Sequence, residues 1–219
     1  AACALAAYVV ATGAAATVIG AVVPLDTRGV QPGPVTVLET EDTVVVAWSD
    51  ETGQPWRATF SLDPEMPLVR SIEAGDTLIV SNARPYYQGE TGTRRGGWNA
   101  FFDYPPAHPN GTRTAQGVFN LRGATARTVG DRVEILFDGL KMGVFDDGGI
   151  AYTIFPGSRL IQQEAVLTTY QADVAYYYDA GWEMAATADR VVGGNMATHV
   201  SYYDTTGALQ EDVSTGFDP

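Results

Sequence analysis

An all-β fold, an antiparallel β-sandwich built on a long-stranded meander, is predicted by three features of this 219-residue chain. Residue character alternates over long stretches, tight reversals rich in Gly, Asp and Pro separate those stretches, and sustained helical periodicity is absent. The clearest alternation is Asp173 to Met184, DVAYYYDAGWEM. Val174, Tyr176, Tyr178, Ala180, Trp182 and Met184 share one side of an extended chain, and Ala175, Tyr177, Asp179, Gly181 and Glu183 share the other. That pattern fits a strand with one face in a core and one in water. A single β domain of this length has room for a sizeable core.

The meander runs from Arg127 to Met184. Val133, Ile135 and Phe137 alternate in its first strand, and Ile150 to Phe155 form an apolar run. In the next strand Ile161, Ala165 and Leu167 share a face with Gln163, while Gln162 and Glu164 lie opposite. Asp146-Asp147-Gly148-Gly149 is expected to close a hairpin, because these residues tolerate positive φ. Val129-Gly130-Asp131 and Pro156-Gly157-Ser158 are further reversals. Short connections of this kind join antiparallel neighbours.

Upstream, residues 1–24 carry no charge and are apolar from Ala4 to Val23, a run close to the roughly 20 residues that cross a bilayer as a helix. A secretory signal, a transmembrane anchor and a segment buried in a partner all fit it. The reading taken here is a retained membrane anchor, with Gly13, Ala14, Ala15, Ala16 and Gly20 suited to close helix packing. Residues 25–34 read as a Pro/Gly linker. The sandwich domain is expected over 35–204. Its early strands are Val35 to Glu39, Val44 to Ser49, Trp56 to Ser61, Leu68 to Glu73 and Thr77 to Asn82, with reversals at Asp50 to Gly53 and Ala74 to Asp76. Arg84 to Arg113 reads as a long loop, and residues 205–219 as an acidic tail.

Composition narrows the function. The formal charge of -13 argues against nucleic acid, whose phosphates are met by Lys and Arg, and against docking on anionic lipid. One cysteine, Cys3, forms no intrachain disulfide. Seven of the basic residues are arginines between Arg84 and Arg132, whereas beyond Leu160 Arg190 stands against nine acids. Pairing with nearby carboxylates on a solvated sheet accounts for much of that bias.

Two candidate sites follow. Arg84, Tyr86, Tyr87, Arg94, Arg95, Trp98, Phe101, Phe102 and Tyr104, with Tyr177, combine aromatics and arginines, the types enriched at binding hot spots. The aromatics either cap the sandwich core or form a recognition surface. The second site is acidic: Asp179 and Glu183 share a face with Tyr177, and Glu164 on the preceding strand is a candidate to lie across from them. A carboxylate pair at suitable separation hydrolyses glycosides, although a solvated polar face explains the same residues. No metal site is expected, since His108 and His199 lack ligand spacing, and no cofactor fingerprint is present.

The stretches GGIAYTIFPGSRLIQQEAVLTT and DVAYYYDAGWEM resemble, in strand rhythm, the galactose-mutarotase-like β-sandwiches of carbohydrate-active proteins, over about residues 117 to 203. The resemblance implies a sandwich and a sugar ligand. That family works with two histidines and a glutamate; the two histidines do not both map onto the corresponding strands here, so its activity is not carried over. The leading expectation is therefore a non-enzymatic, extracytoplasmic (periplasmic or cell-surface) β-sandwich subunit, anchored in a membrane and binding other proteins of a membrane complex. The alternative is a carbohydrate-binding or carbohydrate-active domain of a secreted protein.

Overall fold

The computed structural model describes residues 22–93 and 112–184 in full, and the backbone of three short strands beyond them. The described residues contain no helix, and hence none long and apolar enough to cross a membrane. The apolar stretch up to Ala21 lies outside the described residues.

Twelve strands build two sheets. The first contains Leu25–Gly29 (β1), Val118–Val129 (β8), Arg132–Lys141 (β9), Asp147–Ile154 (β10) and Ile161–Thr168 (β11), in the order β1-β8-β9-β10-β11. The second contains Thr36–Glu39 (β2), Thr43–Ser49 (β3), Pro55–Ser61 (β4), Val69–Ala74 (β5), Thr77–Thr93 (β6), Arg113–Gln116 (β7) and Val174–Met184 (β12). Its order is β12-β6-β5-β4-β3-β2, with β7 also on β6. Val191–Gly194 (β13), Val200–Tyr203 (β14) and Leu209–Asp212 (β15) form a separate antiparallel sheet.

The two main sheets share one core. Alternation sends Val133, Ile135 and Phe137 of β9 and Ile150, Tyr152 and Ile154 of β10 inward, all at most 1% exposed. From the facing sheet come Val44, Val46, Ala58 and Phe60, each 0% exposed. Phe60 ties the layers together, its ring centroid 5.2 Å from that of Phe137 and 4.7 Å from that of Tyr152. Each fully buried side chain of this size contributes about 1.5–3 kcal/mol. Bulges let strict alternation bend: the register shift that takes β4 from Thr59 opposite Ser71 to Phe60 opposite Val69 leaves Arg70 as the extra residue and allows Val69 and Ile72 both to face inward.

Several expectations are corrected. The linker at 25–34 begins as a strand, since Leu25–Gly29 pairs in parallel with β8, so the sandwich is not wholly antiparallel. The strand expected to stop at Asn82 runs on to Thr93, because Arg84, Tyr86, Gln88 and Glu90 continue the alternation into the expected loop. The acidic tail contains β15. Asp146 to Gly149 is not the hairpin turn. The reversal lies at Met142 to Phe145, where Met142 and Phe145 exchange backbone hydrogen bonds of 3.0 Å and Gly143 takes a φ of 59°. Gly148 and Gly149 lie inside β10 instead, where a β-carbon on Gly148 would collide with the carbonyl of Val166 on β11.

The largest correction concerns the meander. Strands β8 to β11 form it as expected, but the chain from Thr169 to Asp173 crosses to the other sheet, and β12 pairs with β6. Asp173 turns with a φ of 59°. β11 and β12 are therefore consecutive in sequence and belong to different layers.

Candidate functional site

The crossing disperses the expected acidic site. Glu164 pairs with Ala151 and projects from the outer face of the first sheet, over a hollow of about 320 Å3 that it lines with Arg127, Glu134, Thr153 and Val166. Asp179 and Glu183 project from the outer face of the second sheet. These faces point away from each other, so Glu164 makes no carboxylate pair with either acid. In the hollow, Glu134 accepts hydrogen bonds from Arg127 (2.7 Å) and Arg132 (3.1 Å), and those guanidiniums hold its carboxyl below the usual range.

What the fold assembles is a polar face on β7, β6 and β12. Register sets Glu183 opposite Arg84, Gly181 opposite Tyr86, Asp179 opposite Gln88 and Tyr177 opposite Glu90. On the other flank Gln116 of β7 lies beside Gln88 and Thr114 beside Glu90. Tyr86 donates its hydroxyl to Gln88 Oε1 at 2.8 Å. Tyr177 donates to the Glu90 carboxylate; that hydrogen bond, then burial and the charges of Glu90 and Asp179, push its phenol up to about 12. Thus Arg84 and Tyr86 of β6 meet Tyr177, distant in sequence, on one surface together with Asp179 and Glu183.

Tyr87 does not belong to that surface. One step out of phase with Tyr86, it points into the core and is 2% exposed. There it joins a buried polar cluster. Gln163 Nε2 donates to the Tyr87 hydroxyl at 3.1 Å, while Gln163 Oε1 accepts from Tyr152 at 2.6 Å and from the indole of Trp182. Burial pushes both phenols up, Tyr152 the more strongly. Arg94, Arg95, Trp98, Phe101, Phe102 and Tyr104, with His108 and His199, lie outside the described residues or have no described side chain. Among the described residues no group of three or more His, Cys, Asp or Glu gathers to hold a metal.

Two further features bear on binding. Between the start of β5, where Val69 meets Ala83, and the end of β7, where Gln116 meets Gln88, one edge of β6 has no neighbouring strand among the described residues. A cleft of about 130 Å3 opens there. Among the described residues β11 has only β10 beside it and β12 has only β6, so two strand edges lie open side by side. Around them Leu160 is 74% exposed, Tyr170 90%, and Val166, Tyr176 and Tyr178 about half. Sequence reasoning missed both features. The alternation of Arg84, Tyr86, Gln88 and Glu90 was a usable signal for the polar face, whereas an open edge depends on which strands pair. Comparison with family models, with curated proteins and with solved structures finds no match to this chain.

Proposed function

We propose that this chain is a non-enzymatic, extracytoplasmic β-sandwich subunit, held at a membrane by residues 1–24, that binds another protein through its β11–β12 side. The observation that carries the reading is the pair of edges left open among the described residues. β11 pairs with β10 at eight consecutive positions, and β12 with β6 at eleven, without a bulge in either. Neither strand contains proline or lysine, the residues that commonly blunt such edges. Unpaired N–H and C=O groups along a regular edge accept a further strand, and the tyrosines beside them supply contact area. From Leu160 to Met184 the chain carries four acids and no base, so the partner segment is extended and positively charged. A second copy of this chain, equally acidic, is disfavoured as that partner.

The test is affinity capture from native membranes in mild detergent, wild type beside the double variant Val166→Lys/Tyr178→Lys. Both sites are exposed, so the fold is expected to persist, as circular dichroism would verify. The reading expects a defined set of proteins with the wild type, each lost with the variant, and a basic strand of one of them cross-linked to β11 or β12. A wild type that emerges alone, or identical sets from both, overturns it.

A further inference from the structure

The cleft beside β6 is built in two zones. At its mouth stand Arg84, Tyr86, Gln116 and Glu183, all on the outer face of the sheet. Arg84 and Glu183 are register partners, yet neither enters an ion pair among the described residues. Arg84 instead reaches across the opening, donating from Nη2 to the Glu65 carbonyl at 3.1 Å. Its other N–H groups remain available. Deeper, the walls are Met66, Leu68, Pro85, Phe119 and Leu121, without a charged side chain. Leu68 and Leu121 are 3% and 8% exposed.

Pro85 explains why the gap persists. The Tyr87 carbonyl accepts the Gly117 N–H at 2.7 Å on this edge, and alternation turns the nitrogen of Pro85 the same way. A proline nitrogen has no hydrogen to give a neighbouring strand, so at Pro85 no backbone donor is stranded where β5 and β7 leave the edge uncovered.

We propose that this cleft binds a free apolar α-amino acid. The ligand's carboxylate takes the guanidinium of Arg84, its ammonium takes the carboxylate of Glu183, and its side chain lies against Phe119 and Leu121. Two opposite charges, facing each other without pairing, match a ligand that carries both, and each contact is a charge-assisted hydrogen bond. The segregated lining decides against a sugar. A pyranose bears hydroxyls around its ring, and those turned toward Leu68, Phe119 and Leu121 would lose water without finding a partner. A peptide end offers only one of the two charges. The volume, below the roughly 300 Å3 of a pocket for a drug-sized ligand, suits one small molecule. This inference is independent of the protein-binding reading, which concerns the outer edges of β11 and β12, whereas the cleft uses the face of β12 that carries Glu183.

The test is titration of the full-length protein in mild detergent with leucine, N-acetyl-leucine, leucinamide and glucose, followed by calorimetry and by amide chemical shifts. Leucine is expected to bind with a Kd of about 1 mM or tighter. It should shift resonances of β6, of β7 and of the Met66–Leu68 turn. Removing either charge from the ligand should weaken binding at least about tenfold. Glu183→Gln should weaken leucine as much and erase the penalty for N-acetylation, and Arg84→Gln should do the same for the amide. Wild-type binding of glucose as tight as leucine, equal binding of the blocked derivatives, or an absence of saturable binding overturns the proposal. The blocked ligands keep it testable should either variant misfold.

Discussion

Gln163, on the edge strand of one sheet, accepts a hydrogen bond from the indole N–H of Trp182, on the edge strand of the other. The same amide accepts from Tyr152 and donates to Tyr87, so three aromatic side chains on three strands meet at one glutamine. Among the described residues no strand covers the outer edges of β11 and β12, but behind them the two layers are latched together. Gln163→Leu should leave two phenols and an indole short of partners and cost about 2–4 kcal/mol. Urea unfolding followed by Trp182-sensitive fluorescence measures it. A double-mutant cycle with Tyr87→Phe should return a coupling well above zero, since the two side chains share one network.

A second latch joins the layers just before the start of β11. Asp50, with a side chain 1% exposed, accepts from the Thr52 hydroxyl at 2.7 Å, from the Thr52 and Gln54 N–H groups, from the Trp56 indole and from Arg159. The hydrogen bond from Thr52 is the largest cause holding its carboxyl far below the usual range; burial acts the other way. A depressed folded pKa contributes stability that is complete above the unfolded value of about 4 and is lost as pH falls through the folded one. Asp50→Asn should therefore flatten the decline of stability below about pH 4, while lowering stability near neutrality. Thermal melts of both proteins from pH 7 to pH 2 check this.

The phenol of Tyr177 titrates in the reverse sense. Its hydrogen bond to Glu90 and the nearby negative charge raise it to about 12. Glu90→Gln removes the charged acceptor, leaving burial and the smaller effect of Asp179, and should bring it back toward 10, read as tyrosinate absorbance against pH. Because the folded pKa is the higher, the neutral phenol's contribution is intact below about pH 10 and disappears as pH rises toward 12.

Two glycines should respond to alanine for different reasons. At Gly157 nothing lies within 4 Å of the added β-carbon, but its φ is 70°, so the cost is backbone strain of about 1 kcal/mol. At Gly148 the β-carbon strikes the Val166 carbonyl and the Leu167 side chain, which forces β11 away from β10. Gly148→Ala should cost more, about 1–3 kcal/mol. Hydrogen exchange should show the extra opening confined to β10 and β11, whereas Gly157→Ala leaves those amides protected.

Phe60 sits where both layers meet. Phe60→Ala should cost about 3–5 kcal/mol and broaden the transition, since the rings of Phe137 and Tyr152 lose their common neighbour. Denaturant unfolding monitored by near-UV circular dichroism measures it.

The amino-acid sequence by itself determined most strands outside the expected linker, loop and tail, where most reversals fall, and which face the meander strands β9 to β11 bury. Those properties are local: the two-residue alternation of Val133–Phe137 or Asp173–Met184 and the positive φ of Gly130 and Gly157 are written in a few neighbouring residues. It also placed Gln163 on the apolar side of its strand, without saying what the amide would meet there. Tertiary structure alone decided that β12 leaves the meander, that β6 exchanges β5 for β7 along one edge, and that Glu164 and Asp179 end on opposite faces. Strand pairing is chosen among distant segments by core packing. Residues on consecutive strands therefore share a surface only if their strands share a sheet, and a five-residue connection from Thr169 to Asp173 is long enough to carry β12 from one layer to the other.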